Sequence, residues 1–235
     1  MTETSFVFPP PPRPSVAVRD RAERIAVRRV LCVGRNYAAH ARELGNDDRQ
    51  PPFFFLKPAD AVVESGTVVP YPPLTRNLHH EIELVVVIGR GGAEIAAERA
   101  LGHVYGYAVG IDLTRRDLQF QARDAGKPWD WGKSFDGCAP CSPVVPAERI
   151  GHPGAARIWL GVNGTLKQDA NLSEMIWSVP EVIAAASTAM RLEPGDLIYT
   201  GTPSGVGALV PGDRVHGGVD AVATIEISIA DPSAA

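Results

Sequence analysis

Short apolar segments separated by glycine and proline make up most of this chain, and they limit what it can fold into. The sequence has 23 glycines and 21 prolines among 235 residues. Proline interrupts helices and central strands, and glycine favours turns, so both residues end regular elements early. The pattern predicts many short strands joined by turns, at 29–33, 53–56, 61–63, 68–69, 82–88, 104–113, 157–162, 197–200 and 221–229.

Three segments have a helical pattern instead. Residues 36–44 are typical of a first helix. Thr114 and Asp117 have the spacing of a capping box and predict a second helix that starts after Thr114. Ser178 and Glu181 have the same spacing, with a proline between them, and predict a third helix.

Composition excludes several classes of protein. Lysine and arginine number 23 against 27 acidic residues, a net charge of −4, so we expect no nucleic-acid partner and no anionic membrane partner. No apolar run approaches the ~18 residues of a membrane span, and the first residues lack the apolar region of an export signal. These features predict a cytoplasmic protein.

Domain organisation and cysteine usage are simple. Four consecutive prolines near the start favour an extended segment, so we expect residues 1–28 to be a tail or strap and residues 29–235 to be a single domain. Three cysteines are too few for a disulfide framework. Cys138 and Cys141 have redox-motif spacing, but they lie in a loop with prolines, which disfavours a redox or zinc role.

The acidic residues around one strand are the sharpest chemical feature. Glu81 and Glu83 lie two residues apart in a predicted strand, so their side chains share a face. Asp112 ends another apolar strand, where an unpaired carboxylate would be costly. Three carboxylates favour Mg²⁺ or Mn²⁺, whereas His79 and His80 leave zinc open. The alternative is that both glutamates project into water from a strand end.

Two further groups could carry chemistry. His40 and Glu43 lie on one face of the first predicted helix, where the carboxylate could orient the imidazole, although solvated surface pairs are commoner. Lys133 lies between large apolar residues and could bind a carboxylate or an enolate, although a lysine that extends its charge to solvent is the commoner case. The glycine-rich segments 89–92 and 201–207 lack the residues of a phosphate-binding loop and are interpreted as turns.

Six segments, taken in order, resemble the fumarylacetoacetate hydrolase family. They are Val33-Gly-Arg-Asn-Tyr-Ala-Ala-His40, Phe55-Leu-Lys-Pro58, His80-Glu-Ile-Glu83, Gly110-Ile-Asp-Leu-Thr-Arg-Arg-Asp117, Lys133-Ser-Phe135 and Gly201-Thr-Pro-Ser-Gly-Val-Gly207. Six ordered motifs are far more specific than any one of them. The resemblance extends from about residue 29 to the C-terminal strand.

The resemblance implies an α+β fold, a mixed β-roll or sandwich with flanking short helices. It also implies a homodimer with one Mg²⁺ or Mn²⁺ in each subunit. The implied site residues are Glu81, Glu83 and Asp112 for the metal, His40 and Glu43 for catalysis under a lid that closes on ligand binding, and Arg116, Gln119, Lys133 and Thr202 for the substrate, with Lys133 also catalytic.

The implied activity is metal-dependent hydrolysis of a carbon–carbon bond in a 2,4-diketo acid. The prolines before residue 15 and segments 51–60, 71–75 and 175–180 favour the branch that splits fumarylpyruvate into fumarate and pyruvate during gentisate breakdown. The family also includes acylpyruvases, oxaloacetate decarboxylases and hydroxy-diene-dioate isomerases, which share recognition of a 2-oxo acid. A metal-stabilised protein without catalysis is a further alternative, because fold does not fix function.

Overall fold

The computed structural model describes residues 5–37 and 50–231. In these residues, strands form four sheets, of eight, five, three and two strands. The strands are β1 Ser15–Ala17, β2 Arg24–Ala26, β3 Arg29–Val33, β4 Phe54–Lys57, β5 Val62–Glu64, β6 Val68–Pro70, β7 Leu78–His80, β8 Ile82–Ile88, β9 Val104–Ile111, β10 Thr114–Arg115, β11 Ala139–Cys141, β12 Val145–Pro146, β13 Arg157–Val162, β14 Thr165–Asn171, β15 Asp196–Tyr199, β16 Gly207–Leu209, β17 Arg214–Val219 and β18 Ala223–Ala230.

The helices of the described residues are short. They are α1 Ala97–Ala100, α2 Arg116–Asp124, α3 Asp130–Lys133, α4 Ala147–Ile150 and α5 Val179–Ala189, with 3₁₀ turns at Ala59–Ala61, Leu101–His103 and Leu172–Glu174. Mixed sheets with short helices confirm the expected α+β class. The nine predicted strands are all present, each within two residues of its predicted bounds.

The two large sheets are both mixed. The eight-stranded sheet has the order β4-β3-β15-β8-β9-β11-β5, with β12 also paired to β9, and its β15–β3 and β11–β5 pairs are parallel. The five-stranded sheet has the order β14-β13-β17-β18-β6, with a parallel pair between β18 and β6. The small sheet β10-β7-β16 is antiparallel and lies next to the start of β8 in the chain.

Strand β8 lies in the middle of the core, and all seven of its residues are buried. Leu84 and Val86 belong to the apolar cluster that includes Ile158 and Leu160 of the five-stranded sheet. Val85 and Val87 belong to a second cluster on the opposite face. A strand covered on both faces reads as a continuous apolar run, which explains why residues 84–88 contain only leucine, valine and isoleucine.

One predicted helix cap and one predicted helix start need correction. Helix α2 is present, but Thr114 lies in β10, where its hydroxyl contacts Asp112 and Lys133 instead of capping the helix. The predicted helix over 36–44 does not begin at Asn36, because Tyr37 forms a β-bridge with Met175. Residues 38–44 lie outside the described residues.

The third predicted helix start is confirmed. The backbone N–H and the hydroxyl of Ser178 both donate to Glu181, at 2.8 and 2.7 Å, at the start of α5. The N-terminal hairpin of β1 and β2 packs its Val16 against the second apolar cluster. The division of the chain at residue 28 stays a prediction.

Candidate active site

Pairing between β8 and β9 brings the three predicted metal ligands together. Glu83 pairs with Gly110 in the antiparallel register, and the backbone N–H of Asp112 donates to the carbonyl of Glu81 at 2.8 Å. One ligand atom from each of Glu81, Glu83 and Asp112 lies within 4.8 Å of the others. All three side chains are buried. We call these three residues the carboxylate cluster.

Basic side chains neutralise two of the three carboxylates. Lys133 Nζ lies 2.9 Å from Glu81 Oε2 and 2.7 Å from Asp112 Oδ2, and Lys57 Nζ lies 2.8 Å from Asp112 Oδ1. Arg116 forms an ion pair with Glu81. Lys57, Lys133 and Arg116 are themselves buried, so solvent and salt screen these ion pairs only weakly.

Glu83 has a different environment from the other two acids. Its Oε2 accepts the backbone N–H of Gly201 at 2.7 Å, and no described basic side chain forms an ion pair with it. Burial raises the pKa of the Glu83 carboxyl well above its usual value, and the charges of Asp112 and Glu81 raise it further. A cation bound among the three acids would remove this penalty.

The donor set fits a hard divalent cation. Three carboxylates without thiolate or imidazole are typical of Mg²⁺ or Mn²⁺. His79 and His80 do not join the cluster: His79 contacts Asn77 at 3.0 Å and His80 contacts Gln168 at 3.0 Å. Burial, with the nearby charge of Arg116, lowers the pKa of His79 to about 4. The zinc option that these histidines left open is therefore disfavoured.

The predicted substrate residues contact the same cluster either directly, as Lys133 and Arg116 do, or through one neighbouring residue. Arg116 and Gln119 lie one helical turn apart at the start of α2, and a hydrogen bond from Arg116 to Gln119 joins them. Close packing here depends on Gly132, because a Cβ at this position would lie 2.8 Å from the backbone nitrogen of Gln119. Thr202 directly follows Gly201, whose backbone contacts Glu83. Whether these residues bind substrate stays a prediction.

Gln168 and Lys57 are site residues that the sequence interpretation missed. Gln168 is fully buried and contacts His80, Ile82 and Thr202 from strand β14 of the other large sheet. Lys57 ends β4 and also donates to the carbonyls of Leu113 and Lys133. A lysine at the end of an apolar segment was a usable signal, whereas Gln168 lies among exposed polar residues that hide it.

Asn36 connects the segment before His40 to the site. Its side-chain amide donates to the carbonyls of Trp177 and Thr200, both at 2.8 Å, and its Oδ1 accepts the backbone N–H of Trp177 at 2.7 Å. Gly201, with φ of +93°, passes so close that a Cβ would lie 2.7 Å from Asn36 Cβ. The predicted catalytic pair His40 and Glu43, with the lid implied around it, lies outside the described residues.

The described residues contain neither a disulfide bond nor a membrane-spanning helix. Cys32, Cys138 and Cys141 are all free and buried. The described residues contain no helix that is long and apolar enough to cross a membrane.

Known proteins of similar sequence and structure lead to the same family as the sequence motifs. Residues 29–230 match the family described as fumarylacetoacetate (FAA) hydrolase C-terminal. A fumarylpyruvate hydrolase from Pseudomonas aeruginosa, solved in complex with Mn²⁺ and pyruvate, is 47% identical with a TM-score of 0.95, covering 97% of this chain and 100% of that chain. A fumarylpyruvate hydrolase from Ralstonia sp is 49% identical over 177 residues, 75% of this chain and 92% of its own length.

A relative of another activity is almost as similar. A mitochondrial oxaloacetate tautomerase from Rattus norvegicus is 44% identical over 200 residues, 85% of this chain and 90% of its own length. The chain belongs to the fumarylacetoacetate hydrolase family. Its buried acidic triad and the Mn²⁺ complex of a relative together indicate a divalent metal site.

Proposed function

We propose that this protein hydrolyses the carbon–carbon bond of a 2,4-diketo acid, converting fumarylpyruvate and water to fumarate and pyruvate. The proposal rests on one observation, the buried carboxylate cluster whose acids form ion pairs with Lys133 and Arg116. This arrangement combines a divalent-cation site with two cationic groups for an anionic 2-oxo acid. A relative of 47% identity, solved with Mn²⁺ and pyruvate, supports it.

Glu81, Glu83 and Asp112 would hold the metal. When bound, Mg²⁺ or Mn²⁺ supplies Lewis-acid polarisation of substrate oxygens and offsets the negative charge of the three acids. The protein's part is to keep this site dry and its ligands fixed, which the paired strands β8 and β9 provide.

The basic and amide side chains would bind the acidic end of the substrate. Arg116 and Gln119 present adjacent donors from one turn of α2, and Lys133 contributes an ammonium that is already desolvated. Lys133 would also stabilise negative charge on the pyruvate fragment as the carbon–carbon bond breaks. Thr202 would donate its hydroxyl hydrogen to a substrate oxygen.

Water activation would fall to His40 and Glu43. In this proposal, the imidazole of His40 takes a proton from water, and Glu43 orients and polarises the imidazole. The water oxygen forms a bond to the carbonyl carbon remote from the pyruvate end. The carbon–carbon bond then breaks, and its electron pair stays on the pyruvate fragment. Protonation of this fragment gives pyruvate.

Substrate turnover tests the proposal directly. Loss of ultraviolet absorbance is followed for fumarylpyruvate, maleylpyruvate and acetylpyruvate, with Mn²⁺ or Mg²⁺ and with EDTA. We expect metal-dependent turnover that is fastest with fumarylpyruvate, and stoichiometric release of fumarate and pyruvate. A preference for acetylpyruvate would instead indicate an acylpyruvase, and absence of turnover of all three would contradict the hydrolase assignment.

Oxaloacetate chemistry is the second candidate. The 44% identity to an oxaloacetate tautomerase over 85% of this chain favours it, because oxaloacetate shares the 2-oxo acid group that the site would bind. Oxaloacetate is therefore added to the same assay, with enol–keto exchange and CO₂ release measured separately. A kcat/KM for oxaloacetate above that for every diketo acid would replace the hydrolase proposal.

The proposal also covers the oligomeric state and the cellular role of the protein. We propose a homodimer in the cytoplasm that acts in gentisate breakdown, with residues 1–28 as a strap and 29–235 as the catalytic domain. Sedimentation of the purified protein tests the dimer. Growth on gentisate after gene deletion tests the pathway.

A further inference from the structure

A cavity of about 470 Å³ lies apart from the carboxylate cluster. Its volume falls within the range of ~300–1,000 Å³ that is usual for small-molecule sites. It lies where the edge strands β5 and β6 of the two large sheets meet the chain after α3. Among the described residues, it is lined by Val63, Thr67, Val69, Pro70, Tyr71, Pro72, Pro73, Arg115, Trp131, Ser134, Phe135, Asp136 and Gly137. The residues assigned above to metal and substrate do not line it.

Arg115 is the buried charge of this cavity. The side chain belongs to a residue that is only 5% exposed, and its guanidinium donates from Nη1 to the carbonyl of Trp131 at 3.3 Å. Its Nε is buried without a hydrogen-bond partner, and it forms no ion pair with a described carboxylate. Burial lowers the pKa of Arg115 from its usual value. A buried guanidinium that lacks a counter-ion is costly, and a carboxylate would match its geometry.

The nearby acids do not supply that counter-ion. Asp136 is exposed at the edge of the cavity. The carboxylate of Asp117 is engaged by the Thr75 hydroxyl at 2.5 Å and by the backbone N–H groups of Arg76 and Leu118, both at 3.0 Å. Arg115 therefore faces the cavity with its charge only partly balanced.

The walls of the cavity are mainly apolar. Phe135 stacks beside the guanidinium, with Arg115 Cζ 4.4 Å from its ring centroid. Lys57 Nζ, which forms an ion pair with Asp112 of the carboxylate cluster, lies 5.7 Å from the same centroid. Phe135 is thus the shared neighbour of the two sites. Trp131 is 68% exposed, which places a large aromatic surface beside the cavity. Valine, proline and aromatic walls suit an apolar ligand body.

We propose that this cavity is a second binding site, for a small organic carboxylate with an apolar body of about the size of one aromatic ring. The ligand carboxylate pairs with the Arg115 guanidinium, and the apolar body packs against Phe135, Tyr71 and the prolines. The site is independent of the reaction proposed above, because it uses neither the metal ligands nor the substrate residues.

Calorimetry with a matched pair of probes tests the site. The Mn²⁺-loaded protein is first saturated with pyruvate to occupy the metal centre, and is then titrated with 3-phenylpropionate or with the neutral 3-phenylpropan-1-ol. We expect the acid to bind at least about tenfold more tightly than the alcohol, as for a charge-assisted hydrogen bond. Arg115→Gln loses this preference, whereas Arg214→Gln, at an exposed position of β17, keeps it.

Three results would overturn the proposal. They are no binding of the acid to the unaltered protein, equal binding of acid and alcohol, and unchanged acid binding by a folded Arg115→Gln variant. Thermal unfolding checks the fold of each variant, and Arg115→Lys, which keeps the charge but not the planar donors, gives an intermediate affinity. If the protein binds no acid and Arg115→Gln instead reduces the mass of the assembly in sedimentation, a second copy of the chain fills the cavity and the small-ligand site is wrong.

Discussion

The side-chain amide of Gln168 donates from Nε2 to the hydroxyl oxygen of Thr202 at 2.8 Å. Two backbone groups fix the orientation of this amide: Oε1 accepts the N–H of Ile82 at 3.1 Å, and Nε2 also donates to the carbonyl of Pro203 at 2.9 Å. Thr202 is therefore the acceptor in this pair. Its own hydroxyl hydrogen has no acceptor among the described residues and is available to a bound anion.

Gln168→Met should weaken binding of a 2-oxo acid without changing the metal ligands. The substitution removes the donor that fixes the Thr202 hydroxyl, and we expect the Kd for pyruvate to rise about tenfold, the usual weight of one hydrogen bond to a charged group. Calorimetry on the Mn²⁺-loaded protein measures it. Mn²⁺ affinity itself should stay within about twofold, because Gln168 does not contact the carboxylates.

A double variant distinguishes a role of Gln168 in positioning the Thr202 hydroxyl from a general disturbance of the structure. Thr202→Val alone should raise the Kd for pyruvate, and adding Gln168→Met should then have little further effect, because both changes act on the same hydroxyl. Lys167→Met, at the exposed neighbouring position of β14, is the matched control. Multiplicative effects of the two substitutions would contradict the positioning role, and a Thr202→Val variant with unchanged pyruvate binding would contradict the role of Thr202 itself.

Glu83→Gln should abolish tight metal binding. The substitution keeps the shape of the side chain but removes the acid that has no basic partner among the described residues, so we expect Mn²⁺ affinity to fall at least about 100-fold. Stabilisation by Mn²⁺, about 2.7 kcal/mol at a concentration of 100 Kd, should be lost with it. Metal titration and thermal unfolding measure both effects. Glu226→Gln, at an exposed position of β18, should retain normal values of both.

The raised pKa of Glu83 predicts how metal-free stability depends on pH. Burial, followed by the charges of Asp112 and Glu81, raises this pKa well above the ordinary 4.5, so the folded protein holds a proton that the unfolded chain releases at lower pH. The stabilising contribution is complete below pH 4.5 and is lost as pH rises through the folded pKa. Urea unfolding in EDTA should show this loss in the unaltered protein but not in Glu83→Gln. Parallel pH curves for the two proteins would contradict it.

His40→Ala should separate binding from chemistry. If His40 is the general base, hydrolysis should fall by a factor on the order of 10²–10⁴, whereas Mn²⁺ and pyruvate should bind normally. Steady-state kinetics and calorimetry on one preparation measure both. A variant that retains near-normal turnover would remove His40 from the mechanism, and loss of Mn²⁺ binding would indicate a structural role instead.

Sequence reasoning found the metal ligands because their signal is local. Glu81, Glu83 and Asp112 stand at the ends of strongly apolar strands, where a charge needs a partner, and the alternation of side chains along a strand places the two glutamates together. Short strands between glycine and proline were predictable for the same reason. Each of these signals needs only residues within a few positions of one another, whereas the pairing of β8 with β9 is what brings Asp112 to the two glutamates.

Long-range contacts explain what the sequence did not reveal. Gln168 acts on partners 34 to 88 residues away, so nothing in the neighbouring sequence marks it. Thr114 was interpreted as a helix cap because its spacing to Asp117 was right, yet its hydroxyl lies 2.7 Å from Lys133 Nζ. The charge of a lysine 19 positions away therefore outweighed a local capping pattern.

Strand β8 has a consequence for how new activities arise in this fold. Its seven residues are all buried, and β9 and β15 pair along its two edges, so substitutions along it disturb folding before they alter chemistry. Evolutionary change is therefore expected to concentrate in surrounding segments outside the shared motifs, such as 70–77. Two relatives, a hydrolase and a tautomerase, are each more than 40% identical to this chain. Their different activities are compatible with central strands that stay constant while the surrounding segments change.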